Sequence, residues 1–171
     1  TSVPPMDPIS NIPSDITPHE GQFRNYHHYF ACRVYYEDTD FSGIVYHANY
    51  LKFMERARSD MLNQLGMDQR AAFEAGDGAY AVVDLHIKYI APAKFQDNLL
   101  VVTNVRKLRK ASVEIEQIIL RGNEKIASAS IQVAFLTPAG RPRRQPEAWT
   151  KAFAAIMNDV MNDDAGNNQR K

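Results

Sequence analysis

Residues 49–66 read NYLKFMERARSDMLNQLG. Tyr50, Phe53 or Met54, Ala57, Met61 and Leu65 recur every three or four residues, which is the spacing of one helical face. Asn49 reads as the N-cap and Gly66 as the stop. The apolar stripe is wide and built from large side chains. Such a helix is expected to be embraced by a sheet rather than to lie on a surface. Glu55 and Arg58 stand three apart, where they can pair. The strands on either side must be arranged around this helix, so it decides the fold.

Upstream, residues 28–36 read HYFACRVYY. Phe30, Cys32, Val34 and Tyr36 fall on one face of a predicted strand. The intervening EDTDFSGIV breaks regular structure, with Asp, Ser and Gly in turn-favouring positions. Four strand candidates lie downstream. Val83, Leu85, Ile87 and Tyr89 alternate with Asp84, His86 and Lys88. Leu99 to Leu108 is rich in β-branched residues. Val113, Ile115, Gln117 and Ile119 form a third run, and Ala127, Ala129, Ile131, Val133 and Phe135 a fourth. The link at Lys110-Ala111 is short and Gly122-Asn123 is a two-residue hairpin signal, so these neighbours are antiparallel. Residues 146–160, within QPEAWTKAFAAIMNDV, read as a final helix with Pro146 near its start. The order is strand, long helix, four strands, short helix. That is an α+β chain in which one antiparallel sheet wraps around a long central helix. A five-stranded sheet exposes edges, and a homodimer that joins two sheets is the natural remedy.

The chain has 171 residues, one ordinary domain's worth. Lys plus Arg number 20 and Asp plus Glu number 20. Nothing global attracts nucleic acid or an anionic membrane, so an anion site must come from local clustering. Two clusters exist, Lys107-Leu108-Arg109-Lys110 and RPRR at 141–144; without aromatic interleaving neither reads as a nucleic-acid site. The single cysteine, Cys32, excludes an intrachain disulfide framework and a cysteine-rich metal site, and a reducing compartment fits best. Its strand-like neighbours make it a small apolar side chain rather than a nucleophile. No apolar run reaches transmembrane length. Residues 1–22 hold five of the nine prolines and no Lys or Arg, which suits neither a secretory signal nor a mitochondrial presequence. They are expected to form a disordered extension, with the domain at 23–161 and a flexible tail at 162–171.

The chemistry is concentrated in residues 36–50, YEDTDFSGIVYHANY, just before the helix. Unpaired N–H groups at a helix start carry partial positive charge and can hold an oxygen that becomes negative during reaction. A carboxylate facing them can act as base or nucleophile. Asp40 in the loop and His47 near the helix start can reach one pocket. Asp38 reads as a loop cap. Ser42 lacks a GxSxG elbow. Asp38, Asp40 and His47 lack a paired-ligand spacing on one element, so no metal is expected, and no cofactor is called for.

The block YYEDTDFSGIVYHANYLKFMERAR at 35–58 closely resembles hot-dog-fold thioesterases of the 4-hydroxybenzoyl-CoA thioesterase type, most of all the branch associated with the Tol-Pal envelope system. IKYIAPAKFQDNLLV at 87–101 resembles the same family's strand after the helix, and the likeness spans about 24–145. The resemblance implies a hot-dog fold and hydrolysis of acyl-CoA in the cytoplasm by a homodimer or homotetramer. Envelope or lipid-synthesis proteins are the candidate protein partners. It implies that Asp40 is the catalytic carboxylate. His47 supplies a backbone N–H to the thioester oxygen, with its imidazole a further candidate. Tyr36 is a pocket tyrosine, and Gly43 beside Ile44 lets the loop pass close to substrate. Phe41 is bulky where relatives often carry a small residue. Lys107, Arg109 and Lys110 are the expected partners of the coenzyme A phosphates. A catalytically silent acyl-CoA or lipid-binding module, or an interaction subunit on the same fold, is the alternative.

Overall fold

The structure, a computed structural model, describes residues 9, 10 and 12–157. β1 (Gln22–Arg24) and β2 (His27–Arg33) form a hairpin. A 3₁₀ turn at Tyr36–Asp38 and a loop lead into α1 (Asn49–Gln64). Then come α2 (Gln69–Glu74), β3 (Ala79–Tyr89), β4 (Asn98–Leu108), β5 (Ser112–Arg121), β6 (Glu124–Leu136) and α3 (Glu147–Ile156). The strands make one sheet in the order β1-β2-β4-β5-β6-β3, with every pair antiparallel. Bulges at Val82/Asp84, Val105/Lys107 and Ile119/Leu120 interrupt the register. Bulges bend a strand and raise its twist, which suits a sheet that curls around a helix.

α1 buries Phe53, Met54, Ala57 and Met61 against the sheet's Val101, Val113, Ile115, Ile119 and Ile131. Complete burial of a side chain such as Phe53 or Met54 contributes about 1.5–3 kcal/mol. Gln117 lies fully buried among these apolar groups and is satisfied on both ends. Its Nε2 donates to Met54 C=O at 2.9 Å and to Thr103 Oγ1 at 3.0 Å, and its Oε1 accepts from Arg58 Nη1.

Several expectations change. The sheet has six strands, because β1 precedes the predicted first strand and joins it through Asn25 and Tyr26, both at positive φ (49° and 67°). Gly21 and Gln22 belong to this attachment: Gly21 N–H donates to Asp60 on α1, and Gln22 opens β1. The strand that was to reach Tyr36 ends at Arg33, and Tyr36 is 82% exposed with its ring on Phe95. Asn49 is the first helical residue rather than the cap; its Nδ2 donates to Asp38 C=O, tying the loop to the helix. Glu55 accepts from Ser59 Oγ, and Arg58 turns to Gln117 instead of pairing with it. β3 begins at Ala79, earlier than Val83, and Val83 sits on the bulge, exposed. The final helix is present with Pro146 just before it; residues 158–160 and the tail lie outside the described residues.

Candidate active site

Two aspartates shape the loop before α1, and they do different work. Asp38 is buried, and its Oδ2 accepts from Tyr35 N–H at 2.8 Å. Its C=O accepts from Tyr46 N–H and Asn49 Nδ2, so this residue ties the loop together, as its capping role predicts. Asp40 opens a tight turn. Gly43 N–H donates to Asp40 C=O at 3.0 Å, and Asp40 N–H donates to Ile44 C=O at 2.9 Å. Asp at the first position and Gly at the fourth suit such a turn, and Gly43 takes φ +81°. The space around Gly43 is open, so its backbone freedom is what the turn uses.

Asp40 Oδ1 accepts from Ser42 Oγ at 2.6 Å and from Ser42 N–H at 2.8 Å. Those bonds, the hydroxyl's first, hold the exposed carboxyl below its usual pKa, and nearby His47 adds to the effect. Among the described residues Oδ2 accepts nothing, so an ionised oxygen faces solvent.

Val45 is buried and donates its N–H to Ala93 C=O; Tyr50 OH accepts from Ala93 N–H at 2.9 Å. These bonds pack the loop's end against the segment after β3. Tyr89 OH donates to His47 C=O at 2.8 Å, with the two rings edge to face. Among the described residues neither His47 N–H nor Ala48 N–H finds an acceptor. Both precede the sixteen-residue α1, where the helix field favours negative charge. An apolar cleft of about 260 Å³ opens here, lined by Ile44, Val45, His47, Tyr50, Tyr89 and Ile90. Tyr36 does not line it. Tyr50 and Tyr89 do, though the sequence reading treated both as packing residues. The only signal for Tyr89 was its place in the second resembling block.

The two basic clusters converge elsewhere. Arg109, Lys110 and Arg144 line a cleft of about 480 Å³ with Glu147 and Thr150. Gln145 draws the second cluster in: its N–H donates to Lys110 C=O and its Nε2 to Arg109 C=O. Lys107 does not line this cleft; it stands opposite Glu114 in the β4–β5 register. Arg109 is paired with Glu114 at 3.1 Å. Burial pushes the Cys32 thiol up to about 11, in keeping with an inert side chain. Among the described residues no three His, Cys, Asp or Glu side chains are grouped to hold a metal ion, and no helix is long and apolar enough to cross a membrane.

A thioesterase superfamily model matches residues 42–128, beginning two residues after Asp40. An acyl-CoA thioesterase YbgC of Haemophilus influenzae is 42% identical over 131 residues, 77% of this chain and 94% of its own. One from Helicobacter pylori strain J99 is 41% identical over 138 residues, 75% of this chain and 98% of its own. Among solved structures, a probable thioesterase from Bartonella henselae superposes with a TM-score of 0.67 at 36% identity, covering 70% of this chain and 99% of its own. A 4-hydroxybenzoyl CoA thioesterase variant complexed with 4-hydroxybenzoyl CoA reaches 0.68 at 18% identity, covering 74% and 98%. The last likeness concerns the fold alone.

Proposed function

The chain belongs to the thioesterase superfamily, and from that membership we infer that it hydrolyses acyl-CoA thioesters to a free carboxylic acid and coenzyme A. The observation that carries the site assignment is one loop offering both halves of the chemistry. Asp40 Oδ2 is an uncommitted, ionised carboxylate oxygen, and His47 N–H is an uncommitted donor at the start of α1. The substrate carbonyl oxygen is placed at His47 N–H, and its carbon towards Asp40. Asp40 then takes a proton from a water that attacks the carbon, or attacks it directly to form a mixed anhydride that water cleaves. In either route the C–S bond breaks and the electron pair leaves on sulfur; the thiolate takes up the proton that Asp40 removed in the base route, or one from the water that cleaves the anhydride. His47 N–H stabilises the oxyanion between these steps. The apolar cleft along Ile44, Tyr50 and Tyr89 takes the part of the substrate next to the carbonyl.

In the same reading the coenzyme A phosphates lie at Arg109, Lys110 and Arg144, and the working unit is a homodimer joined along the free β3 edge. Cytoplasmic location is part of it, supported by the lone cysteine and the coenzyme substrate. The test is direct. The full chain is incubated with a panel of acyl-CoA esters and a thiol reagent. Release of thiol from at least one ester is expected. Tight acyl-CoA binding with no thiol release across the panel would instead make the chain a silent binding module.

A further inference from the structure

Tyr89 ends β3, and its side chain crosses to the start of α1, where the OH donates to His47 C=O at 2.8 Å. That carbonyl is one the helix leaves over. Asn49 N–H donates to Tyr46 C=O at 2.8 Å and Leu51 N–H to Ala48 C=O at 3.2 Å, so the turn into α1 uses the carbonyls on either side of His47. Among the described residues no backbone N–H reaches His47 C=O itself. A side chain from the sheet therefore holds a peptide that the helix does not.

A planar trans peptide points its C=O and N–H in opposite directions. His47 C=O and Ala48 N–H belong to one peptide, so the bond from Tyr89 sets where Ala48 N–H points. Ala48 is already helical, with φ −70° and ψ −21°, and its unspent N–H points out of the start of α1 as the orphan donors of a helix do. Tyr89 is held independently of the loop. It faces Ala127 in the β3–β6 register, and the next N–H, of Ile90, donates to Ile126 C=O at 2.9 Å. Its ring stands edge to face with those of Tyr50 at 5.4 Å and His47 at 6.3 Å. Partial burial, with Tyr50 beside it, raises its pKa, so the hydroxyl keeps its proton and remains a donor at neutral pH.

We propose that Tyr89 is a positioning residue for the hydrolysis: by fixing the His47–Ala48 peptide it brings Ala48 N–H to the thioester oxygen as a second donor beside His47 N–H. Two donors then share the charge that gathers on the oxygen as the carbonyl carbon becomes tetrahedral. This chemistry rests on the hydrolase reading of the cleft, whereas the hold of Tyr89 on the peptide does not.

Tyr89→Phe keeps the ring and loses the hydroxyl. Its kcat should fall about 10-fold, with KM for acyl-CoA within about 2-fold of the parent and an unchanged melting curve, since the lost bond serves the transition state. Ala48→Pro removes the second donor itself, at a φ that proline accepts and with no protein acceptor losing a partner. Its kcat should fall about 10²-fold, the size of effect seen when one oxyanion donor is removed. Adding Tyr89→Phe to Ala48→Pro should cost less than about 2-fold more, because the hydroxyl then has no donor to aim. Parent-like kcat in Tyr89→Phe, a change in KM alone, or two losses that multiply would each overturn the assignment. A measurement without turnover covers an Ala48→Pro chain that does not fold. The ¹⁵N-labelled full chain is titrated with acetonyl-CoA, a ketone with a methylene between carbonyl and sulfur, which has no thioester to cleave. The His47 and Ala48 amide protons should both move downfield, and in Tyr89→Phe the Ala48 shift should shrink while the His47 shift stays. An Ala48 amide that does not respond, or that responds equally in Tyr89→Phe, sinks the second donor whatever the turnover. A parent chain that shows the Ala48 shift but releases no thiol from any ester would fail as a hydrolase and keep this carbonyl-binding geometry, so the two failures register separately.

Discussion

At the scale of the residue, the two loop aspartates differ by what their oxygens are doing. Asp38 is buried and spends its carboxylate on Tyr35 N–H, whereas Asp40 is exposed and spends only one oxygen, on Ser42. Because the Ser42 bonds favour the charged form, Asp40 stays ionised from neutral pH down to below the ordinary carboxylate range, and activity should be lost only as pH falls through that lowered pKa. Asp40→Asn keeps the size but removes the charge. Its kcat should fall at least about 10²-fold with an unchanged melting curve. Single-turnover reaction in ¹⁸O-water, with label sought in the Asp40 side chain, separates the anhydride route from the base route. Near-normal turnover in folded Asp40→Asn would remove Asp40 from the mechanism. Residue chemistry made Asp40 a candidate, because it shares the loop before α1 with His47, and the resemblance made it the catalytic carboxylate. The predicted strand ran on to Tyr36, three residues past its end at Arg33, because nothing in HYFACRVYY marks where it stops. His28 was not singled out at all. It is fully buried, its Nε2 meets Asp60 Oδ2 at 2.6 Å, and among the described residues its Nδ1 has no partner. Protonation would place an unmatched N–H there, and burial accordingly lowers its pKa below 6.5. The unfolded chain then binds the proton more readily, so stability is unaffected above about pH 6.5 and falls below it. His28→Gln should show a smaller loss of Tm between pH 7.5 and pH 5.5 than the parent; equal losses would contradict this assignment.

At the scale of the element, β5 and β6 were readable because each carries a long alternation, and β4 because it is rich in β-branched residues and turns tightly into β5. α1 was readable from its period, and Gly66, at φ +80° just past its end, acts as the stop. β1 was not readable. It has three residues, and Asn25-Tyr26 lacks the glycine that usually announces a two-residue turn. A tertiary clasp compensates: Asp60 Oδ2 accepts from Gly21 N–H at 3.0 Å and from Gln64 Nε2 at 3.0 Å, while Gln64 also donates to Gly21 C=O. A Cβ at Gly21 would stand 2.7 Å from Asp60 Oδ2 and 2.9 Å from His28 Nε2, so this approach needs glycine. Bulges were equally hidden. The basic run is split in space: Arg109 and Lys110 line a cleft with Arg144, and Lys107 stays outside it, opposite Glu114. Replacing Arg109, Lys110 and Arg144 together with Ala should raise KM for acyl-CoA by about 10-fold or more at low salt, with a smaller change in kcat. Lys107→Ala should leave KM near the parent value. The reverse ranking would move the phosphate site back to β4.

At the scale of the whole molecule, a balanced net charge gives no long-range attraction, and assembly has to come from the sheet's edges. The two edges are unequal. β1 is a three-residue stub, too short to template another strand. β3 is eleven residues long and has a neighbour, β6, on one side only. Val82, Val83, Tyr89 and Ile90 on or beside it are 44–54% exposed, more apolar surface than an edge facing water usually keeps. Among the described residues no strand pairs with its outer side. A long apolar edge of this kind either aggregates or pairs, and pairing with a second copy closes it symmetrically into one continuous sheet. The consequence reaches the chemistry, because Tyr89 and Ile90 at the end of this edge also line the cleft beside His47. A partner seated along β3 would therefore border the proposed active site and limit its access to water. The expected outcome is a dimer by sedimentation equilibrium at micromolar concentration. Val83→Lys places a charge on the edge without touching the core or the cleft lining, and should shift the protein towards monomer. It should also lower kcat/KM while leaving the monomer folded, as judged by its melting curve. A parent protein that sediments only as monomer, or a monomeric Val83→Lys variant with full activity, would show that the proposed site is complete within one chain.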